Sequence, residues 1–465
     1  MEMKFCRRAF LEGAMALAVW PKNLFAAPQK GGASSFLTSL WELPNGLATP
    51  NVMVRRLYLD LAGRIPTADE TTEYVQSSSP NKREELVDKL LSSKDFVDYW
   101  TMRFCDILRV KSEFPINLWP NAVYVYHARI RSFVEKDEAW EHFGRALIMS
   151  QGSNFRDAEV NFFRATNRRT PEGWAEAVAQ TFLGINPSDL DDERRKLYSS
   201  YFTLLRIKST REWKEEIVYV DGEDRRGELC DMIFLQNRQM VQDAFTLRLR
   251  QWIFGPAASS VPSTQAYIGG LKSSLKEIVL SREYAQGSVT GGFPARRLDA
   301  EILDDVFCSL GDSRRDYQSP APEPFSFLPG TRPTICMEDG SISSGFLSLF
   351  GRPARDTGLM DERGVDVTAK QRLYLFNSRD IHKKINILTR NHRNTENAPV
   401  KIPQKDWMAK IYWSLLSRNP SNYERKIVNA LWRDRRRKSK TSSYFELMSD
   451  VAWSLINTKE FLFRI

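Results

Sequence analysis

Histidine and cysteine are scarce in this chain, and their spacing excludes the common metal and haem sites. The 465 residues include four histidines and five cysteines. No Cys-x-x-Cys motif or haem attachment sequence occurs, and no two histidines have the i, i+4 spacing of a helical zinc site. We therefore expect no metal and no cofactor. Four of the cysteines lie after residue 27. They either form two disulfides or remain buried thiols, and their wide spacing favours thiols. They are Cys105, Cys230, Cys308 and Cys336.

Long apolar runs and the glycine-rich motifs of several enzyme classes are missing too. Beyond the N-terminus no segment has about 18 uninterrupted apolar residues, so we expect no transmembrane segment in the mature chain. No Gly-x-Ser-x-Gly, Walker or Rossmann pattern occurs, which argues against the hydrolase and nucleotide-binding folds that use them. The chain is nevertheless 42% hydrophobic and 12% aromatic. Packed cores in two or three domains are expected at this length.

Positive charge is in excess, with a formal net charge of +9. Much of it comes from the run Arg433–Lys440, which is read as a solvated loop between two helices or as an anion-binding segment. The run lacks the interleaved aromatic residues of a nucleic-acid site, so no nucleic-acid partner is expected. An acidic polymer outside the cytoplasm, such as a sulfated or uronic polysaccharide, is the better anionic partner.

The N-terminus has the pattern of a twin-arginine signal peptide ending at residue 27. Arg7 and Arg8 lie before a short apolar stretch from Ala14 to Trp20, and Ala26 and Ala27 supply small residues for cleavage. A short amphipathic helix is the alternative interpretation. The signal peptide predicts export of the protein from a bacterial cytoplasm to the periplasm or cell envelope.

Helical periodicity dominates the remaining sequence. Apolar residues from Val52 to Leu61 recur on one helical face, and Thr67 with Glu70 has the spacing of a capping box at a helix start. The segment Glu216–Gly222 is the best strand candidate because it is β-branched and closed by an Asp-Gly turn. We therefore predict a mainly α, multi-helical two-module protein with at most a small β element.

Further helices follow from the same spacing, and one long segment lacks it. Ser319–Gly345 is rich in proline and irregular, which is typical of functional or mobile loops. The boundary between the modules is expected near residues 225–238. Helices are predicted at Lys82–Leu91, Asp95–Leu108, Tyr124–Val134, Trp140–Met149, Gly173–Leu183, Leu190–Leu205, Met240–Phe254, Leu271–Ser281, Pro294–Ser309, Thr368–Arg390, Lys405–Ser417, Tyr423–Arg433 and Ser443–Leu455.

Several ordered motifs resemble two families of unknown function that occur fused. Arg55–Thr67 is similar to the opening motif of the family numbered 1549, the cytochrome-associated domain of planctomycete-type bacteria. Arg296–Asp305, Phe350–Arg355 and Leu373–Ser378 resemble its fusion partner, the family numbered 1553. The resemblance implies an N-terminal module at residues 28–230 and a C-terminal module at 231–465.

The resemblance implies an exported helical protein with no assigned reaction. Members are often encoded beside twin-arginine-exported proteins of sulfatase-like fold, and some carry c-type cytochrome domains. Members also commonly follow a Phe-Leu-Gly segment with a Cys-x-x-Cys-His-x-His-Pro sequence. In this chain Phe182-Leu183-Gly184 is followed by Asn186–Glu193, which has neither cysteine nor histidine. A redox-associated protein that has lost its haem site is therefore one alternative.

The carboxylates at residues 189–193 and a set of arginines offer two further sites. Asp189, Asp191, Asp192 and Glu193 could bind calcium through their carboxylate oxygens. The last three also suit the first turn of a helix, and the helix is favoured. Three arginines near Phe350 form the other candidate site and are candidates for anion binding. Two carboxylates close to them in the sequence are the candidate catalytic acid and base. Internal ion pairing is the competing interpretation. These residues are Arg352, Arg355 and Arg363, with Asp361 and Glu362.

A third candidate is the loop at residues 113–121, which holds two prolines and a tryptophan between predicted helices. Asn117 and Trp119 are its candidate contact residues, for a carbohydrate or a protein. Packing of this tryptophan against the core is the alternative.

Taken together, these features favour an exported helical binding or assembly partner of a periplasmic sulfatase-like protein. The alternative is a hydrolase or lyase that acts on an anionic polysaccharide, and whether the chain is an enzyme stays open.

Overall fold

The computed structural model of this chain describes most of the sequence after the predicted signal peptide. Residues 1–27 and most of the segment 255–270 lie outside the described residues, so the signal peptide remains a prediction. The described residues are 41–43, 45–256, 258, 269–288, 292–311, 315, 317–326, 328, 330–394, 407–438 and 444–465.

Helices form most of the described chain, which confirms a mainly α protein with small β elements. The α-helices are α1 (Pro50–Leu57), α2 (Ala68–Gln76), α3 (Lys82–Leu91), α4 (Lys94–Ile107), α5 (Pro120–Glu135), α6 (Trp140–Met149), α7 (Asn161–Arg164), α8 (Pro171–Val178), α9 (Asp192–Ser200), α10 (Arg226–Asp231), α11 (Arg238–Phe254), α12 (Leu271–Leu280), α13 (Arg282–Ala285), α14 (Ala300–Gly311), α15 (Gly345–Leu349), α16 (Ala369–Asn377), α17 (Arg379–Asn394), α18 (Trp407–Leu416), α19 (Asn422–Lys438), α20 (Tyr444–Ile456) and α21 (Lys459–Leu462). The strands are β1 (Gly152–Ser153), β2 (Leu205–Ser209), β3 (Glu216–Val220), β4 (Arg296–Arg297) and β5 (Phe463–Arg464).

The predicted capping box at the start of α2 is present. The backbone N–H of Glu70 donates to Oγ1 of Thr67 at 3.2 Å, and the backbone N–H of Thr67 donates to the Glu70 carboxylate at 2.7 Å. Two otherwise unpaired donors at the helix start are thereby satisfied. Arg64 also binds both oxygens of Glu70, at 2.7 and 2.8 Å.

Two predicted helices are shortened because strand pairing overrides local periodicity, and a third is divided by a local cap. The helix predicted to end at Leu205 ends at Ser200, since Leu205–Ser209 pairs with β3. The helix predicted from Pro294 begins at Ala300, since Arg296–Arg297 pairs with β5. The helix predicted over Thr368–Arg390 is divided at Ser378, whose extended backbone ends α16 and whose side chain accepts from the first turn of α17.

The described basic run is helical, which corrects its interpretation as a loop. Residues 433–438 form the last turns of α19, where basic side chains suit the negative end of the helix dipole. Arg433, Arg436 and Arg437 are exposed, and Arg435 pairs with Asp450. Within the described residues no helix is long and apolar enough to cross a membrane.

The chain divides into two compact units, of which unit 1 is built from three separated stretches. They are the described parts of Met1–Leu86, Arg282–Arg315 and Val365–Ile465. In its core α17 packs against α14 and α20, and α20 packs against α18. β4 pairs antiparallel with β5. Its α1 is fixed to the end of the chain, because Arg55 donates to the carbonyl of Phe461 at 3.3 Å and Arg56 to that of Ile465 at 3.0 Å.

Unit 2 comprises Val87–Ser281 and Asp316–Gly364. Its core is aromatic, as expected for rings that fill helix seams. The ring of Phe104 on α4 lies 5.1–5.7 Å from those of Phe133, Trp140 and Trp252 on three other helices. A small antiparallel sheet of order β1-β3-β2 confirms the predicted strand at Glu216. The predicted boundary at residue 230 concerns sequence modules and stays a prediction.

Candidate functional site

Arg355 is one of the three candidate anion-binding arginines, and it is buried in unit 2. Its backbone adopts φ +59°, and its side chain is 1% exposed. The Nε donates to Oδ1 of Asp106 at 2.9 Å. One terminal nitrogen donates to the carbonyl of Glu338 at 2.7 Å and of Val110 at 3.3 Å. These bonds direct the guanidinium inward.

Arg363 converges on the same carboxylate. One of its terminal nitrogens donates to Oδ2 of Asp106 at 2.6 Å. Burial acts to raise the pKa of Asp106, but the charges of Arg363 and Arg355 outweigh it and hold this pKa below its usual range. Asp106 thus binds two of the predicted arginines, and nothing in the local sequence of α4 indicates this role.

Arg352, Asp361 and Glu362 occupy other positions around the same loop. Arg352 donates to the carbonyl of Asp339 at 3.3 Å. The Glu362 carboxylate accepts from the backbone N–H of Asp356 at 2.7 Å, which fixes the turn before it. Asp361 is exposed. The structure therefore brings Arg355 and Arg363 together on Asp106, and Glu362 serves the loop backbone.

The loop that holds Asn117 and Trp119 is closed by backbone hydrogen bonds at its base. Leu118 donates to the carbonyl of Lys111, and Trp119 to that of Ser112, both at 3.2 Å. Asn117 is exposed with φ +59°. Trp119 has φ +69° and ψ +147°, a combination that is rare outside glycine, immediately before Pro120 starts α5. The loop thus presents Trp119 from a strained and fixed backbone.

A second loop brings another tryptophan to Trp119. It joins β2 to β3, and the backbone N–H of Thr210 closes it by donating to the carbonyl of Glu215 at 3.1 Å. The side chain of Glu215 also holds the loop, since it accepts from Ser153 at 2.6 Å and from Thr210 at 2.8 Å. Lys214 has φ +65°, another left-handed residue beside the exposed Trp213.

We define the aromatic surface as Trp119, Trp213 and Phe325. The ring centroid of Trp213 lies 4.8 Å from that of Trp119 and 5.3 Å from that of Phe325, and the two remaining rings are 5.6 Å apart. Trp213 is 60% exposed and Phe325 42% exposed. The Nζ of Lys214 lies 5.1 Å from the Trp119 ring and 5.9 Å from the Trp213 ring. Trp119 therefore packs on exposed aromatic rings.

Phe325 comes from the segment Ser319–Gly345 that lacks periodicity. Sequence reasoning selected Trp119 but missed Trp213 and Phe325, which are far from it in the chain. The isolated tryptophan in a short turn between charged residues was the available signal for Trp213.

The acidic residues that follow Gly184 start a helix. Asp191 is the N-cap of α9, and its side chain accepts from the backbone N–H of Arg194 at 2.8 Å. Asp192 and Glu193 lie in the first turn, which confirms the predicted helix start. Among the described residues no group of three or more His, Cys, Asp or Glu side chains is placed to hold a metal ion.

The described cysteines are thiols. Cys105, Cys230 and Cys308 are buried, and Cys336 is partly exposed. Burial raises the pKa of Cys105 to about 12 and that of Cys230 to about 11, so both are protonated near neutral pH. Burial and nearby arginines lower the pKa of His127 to about 3. The two protonated and buried thiols are therefore poor nucleophiles in the folded chain.

Comparison with known families supports the resemblance over part of the chain. Residues 40–195 match the family PSCyt2, described as a protein of unknown function (DUF1549). The match confirms the expected resemblance to family 1549, and it contains Asp106, Asn117 and Trp119. The resemblance of the second half to family 1553 stays a prediction. No curated protein is significantly similar to this chain. No solved structure is significantly similar to it either.

Proposed function

We propose that this chain is an exported binding protein of the cell envelope and that the aromatic surface is its contact with a partner. The exposure of Trp213 and Phe325 carries the proposal. Apolar surface left in water forgoes about 25 cal/mol for each Å² that burial would remove. A partner that covers these rings recovers that free energy.

The backbone beneath the aromatic surface supports the same proposal. Trp119 and Lys214 both have positive φ values. Non-glycine residues in such regions cost about 1–3 kcal/mol each, and they cluster at ligand contacts where the side chain must be presented in one orientation. Edge-to-face packing against Trp119 and Phe325 further restrains Trp213. The surface is therefore organised before any partner arrives.

The arginine cluster supports binding over hydrolysis. A hydrolase or lyase for an anionic polysaccharide needs Arg355 and Arg363 to reach the substrate, and both donate to Asp106. Of the two candidate carboxylates, Glu362 accepts from the backbone of its own loop, and the exposed Asp361 would have to act without the two arginines that bind Asp106. We therefore place the proposed function at the aromatic surface.

Two partner classes follow from the family resemblance and the charge of the chain. The first is an exported sulfatase-like protein, a product often encoded beside members of the family that this chain resembles. The second is an anionic polysaccharide, which suits a chain with a net charge of +9. Both require export to the periplasm or cell envelope, which rests on the signal peptide.

The test is affinity capture from the native cell-envelope fraction with the mature chain and two variants. Trp213→Ala removes the most exposed ring of the aromatic surface. Leu235→Ala is the matched control, since Leu235 is 64% exposed elsewhere in unit 2. We expect the wild type and Leu235→Ala to retain a partner, identified by mass spectrometry, that Trp213→Ala loses at an unchanged melting temperature. Equal capture by all three proteins, or by none, would contradict the proposal.

A further inference from the structure

We infer that the ligand of the aromatic surface is a glycan chain with acidic substituents, with a sugar ring stacked on Trp213 and an acidic group at Lys214. This inference rests on the proposed function, because it requires the aromatic surface to be a binding site. It goes further by choosing between the two partner classes.

The exposed area of the aromatic surface suits a few sugar rings. A buried aromatic side chain covers about 150–250 Å², so Trp213 at 60% and Phe325 at 42% exposure present together roughly 150–250 Å². A stable protein interface buries about 800 Å² on each partner. These two side chains would supply only about a quarter of that area, so a protein partner would need many further contacts, whereas one or two pyranose rings cover them.

The ring geometry suits stacking by a sugar. The planes of Trp119 and Phe325 meet that of Trp213 at 69° and 65°. Their contacts fix the plane of Trp213 while most of its surface stays in water. The electron-rich face of an indole attracts the weakly positive C–H groups on one side of a pyranose ring. A fixed and exposed indole is therefore a platform for a sugar.

The charges around Trp213 favour an acidic substituent on that sugar. Lys214 lies against two rings of the aromatic surface, and Arg211 is exposed in the same turn. Glu212 is also exposed and offsets one of these charges. The next two carboxylates are engaged elsewhere, since Glu215 accepts from Ser153 and Thr210 and Glu216 accepts from Arg164 and Arg169.

Within the turn between β2 and β3, one positive charge therefore remains beside the exposed ring. The Nζ of Lys214 can donate charge-assisted hydrogen bonds to a sulfate ester or a carboxylate. Asn117, exposed in the neighbouring loop, adds an amide that both donates to and accepts from sugar hydroxyls. A sulfated and a uronic sugar present the same chemistry to this group, so both belong to the inferred ligand class.

The inference is tested by titrating the mature chain with three oligosaccharides while tryptophan fluorescence and binding heat are recorded. The probes are a sulfated galactan tetrasaccharide, the same tetrasaccharide after desulfation, and an oligogalacturonate. We expect the wild type to bind at least one acidic probe ten times more tightly than the neutral one. Trp213→Ala should lower affinity for that probe at least tenfold, and Leu235→Ala should leave it unchanged.

A second variant isolates the charge. Lys214→Asn keeps a residue type that tolerates positive φ while it removes the cation. We expect it to bind the acidic and neutral probes with similar affinity. Retained preference for the acidic probe in Lys214→Asn, or absence of binding to all three probes by the wild type, overturns the inference.

The failure of this inference is distinguishable from failure of the proposed function. If no glycan binds but envelope capture still depends on Trp213, the aromatic surface holds a protein and the proposed function survives. If Trp213→Ala changes neither glycan binding nor envelope capture, both proposals fail.

Discussion

Arg355 and Asp106 are 249 residues apart in the sequence and form a buried ion pair, with Nε 2.9 Å from Oδ1. Asp106 lies in the last turn of α4, and Arg355 belongs to the loop between α15 and α16. With the bond from Arg363 to the other oxygen, the pair holds that loop on α4 within unit 2. The ion pair between Arg355 and Asp106 therefore has a structural role.

Asp106→Asn should destabilise unit 2 strongly. The substitution leaves two guanidinium groups buried without their counter-charge, and breaking a buried pair in this way costs about 3–5 kcal/mol. Chemical denaturation followed by tryptophan fluorescence measures the free energy of unfolding. Asp361→Asn is the control, since Asp361 is exposed, and it should change stability by less than about 0.5 kcal/mol. Equal effects of the two substitutions would refute the structural role of Asp106.

Glu70 should make a pH-dependent contribution to stability. Burial acts to raise its pKa, but bonds from Arg64 and Thr67 outweigh burial and hold it at about 2. Because the folded pKa lies below the unfolded value, the contribution is full above pH 4.5 and is lost as pH falls through 2. Glu70→Gln should cost about 1 kcal/mol at pH 7.

The measurement is the difference in unfolding free energy between the wild type and Glu70→Gln at pH 7 and at pH 2.5. We expect the difference to shrink as the pH falls. A difference that is constant with pH would show that the ionised carboxylate adds nothing beyond the hydrogen bond of its neutral form.

The cysteines should react with an alkylating reagent according to their burial. In the native chain without residues 1–27, iodoacetamide at pH 8 should label Cys336 and spare the three buried thiols. Denaturation without reductant should expose all four. Intact mass spectrometry counts the labels. Unlabelled cysteines in the denatured chain would indicate disulfides instead.

Replacement of Arg7 and Arg8 by lysine should block export. The twin-arginine translocase reads this pair, whereas the general secretory pathway accepts either basic residue. Cell fractionation should find the wild type in the periplasm and the Arg7→Lys, Arg8→Lys variant in the cytoplasm, with residues 1–27 uncleaved. Export of the variant at the wild-type level would rule out this route.

Elements fixed by near neighbours in the sequence were predictable. The two partners of the capping box, Thr67 and Glu70, are three positions apart, and α6 has the predicted bounds Trp140–Met149. The strand at Glu216 followed from β-branched residues and an Asp-Gly turn. Its partner β2 was not predicted, and the predicted helix ran on to its first residue, Leu205, because the ladder that makes β2 a strand depends on residues outside the local window.

In the candidate sites too, features set by neighbouring residues were predictable, and contacts between residues far apart in the sequence were not. Trp119 was selected because proline and asparagine mark a fixed loop around it. Trp213 and Phe325 join it through chain topology, which a single sequence does not reveal. The arginines beside Phe350 were expected to bind an anion or a carboxylate, and the carboxylate that two of them bind is Asp106 on α4. The sequence therefore indicated that these arginines bind an anionic group, but it did not indicate that the group is the Asp106 carboxylate.

Because unit 1 is built from three separated stretches of the chain, its folding depends on residues that are synthesised far apart in time. Arg55 donates to the carbonyl of Phe461, 406 residues further along the chain. A ribosome that adds about 5–20 residues per second takes roughly 20–80 s to produce the partner. During that interval the Arg55 guanidinium lacks this acceptor, so unit 1 closes only after residue 461 has been synthesised. Export in the folded state, which the predicted twin-arginine signal implies, would leave time for this step before translocation.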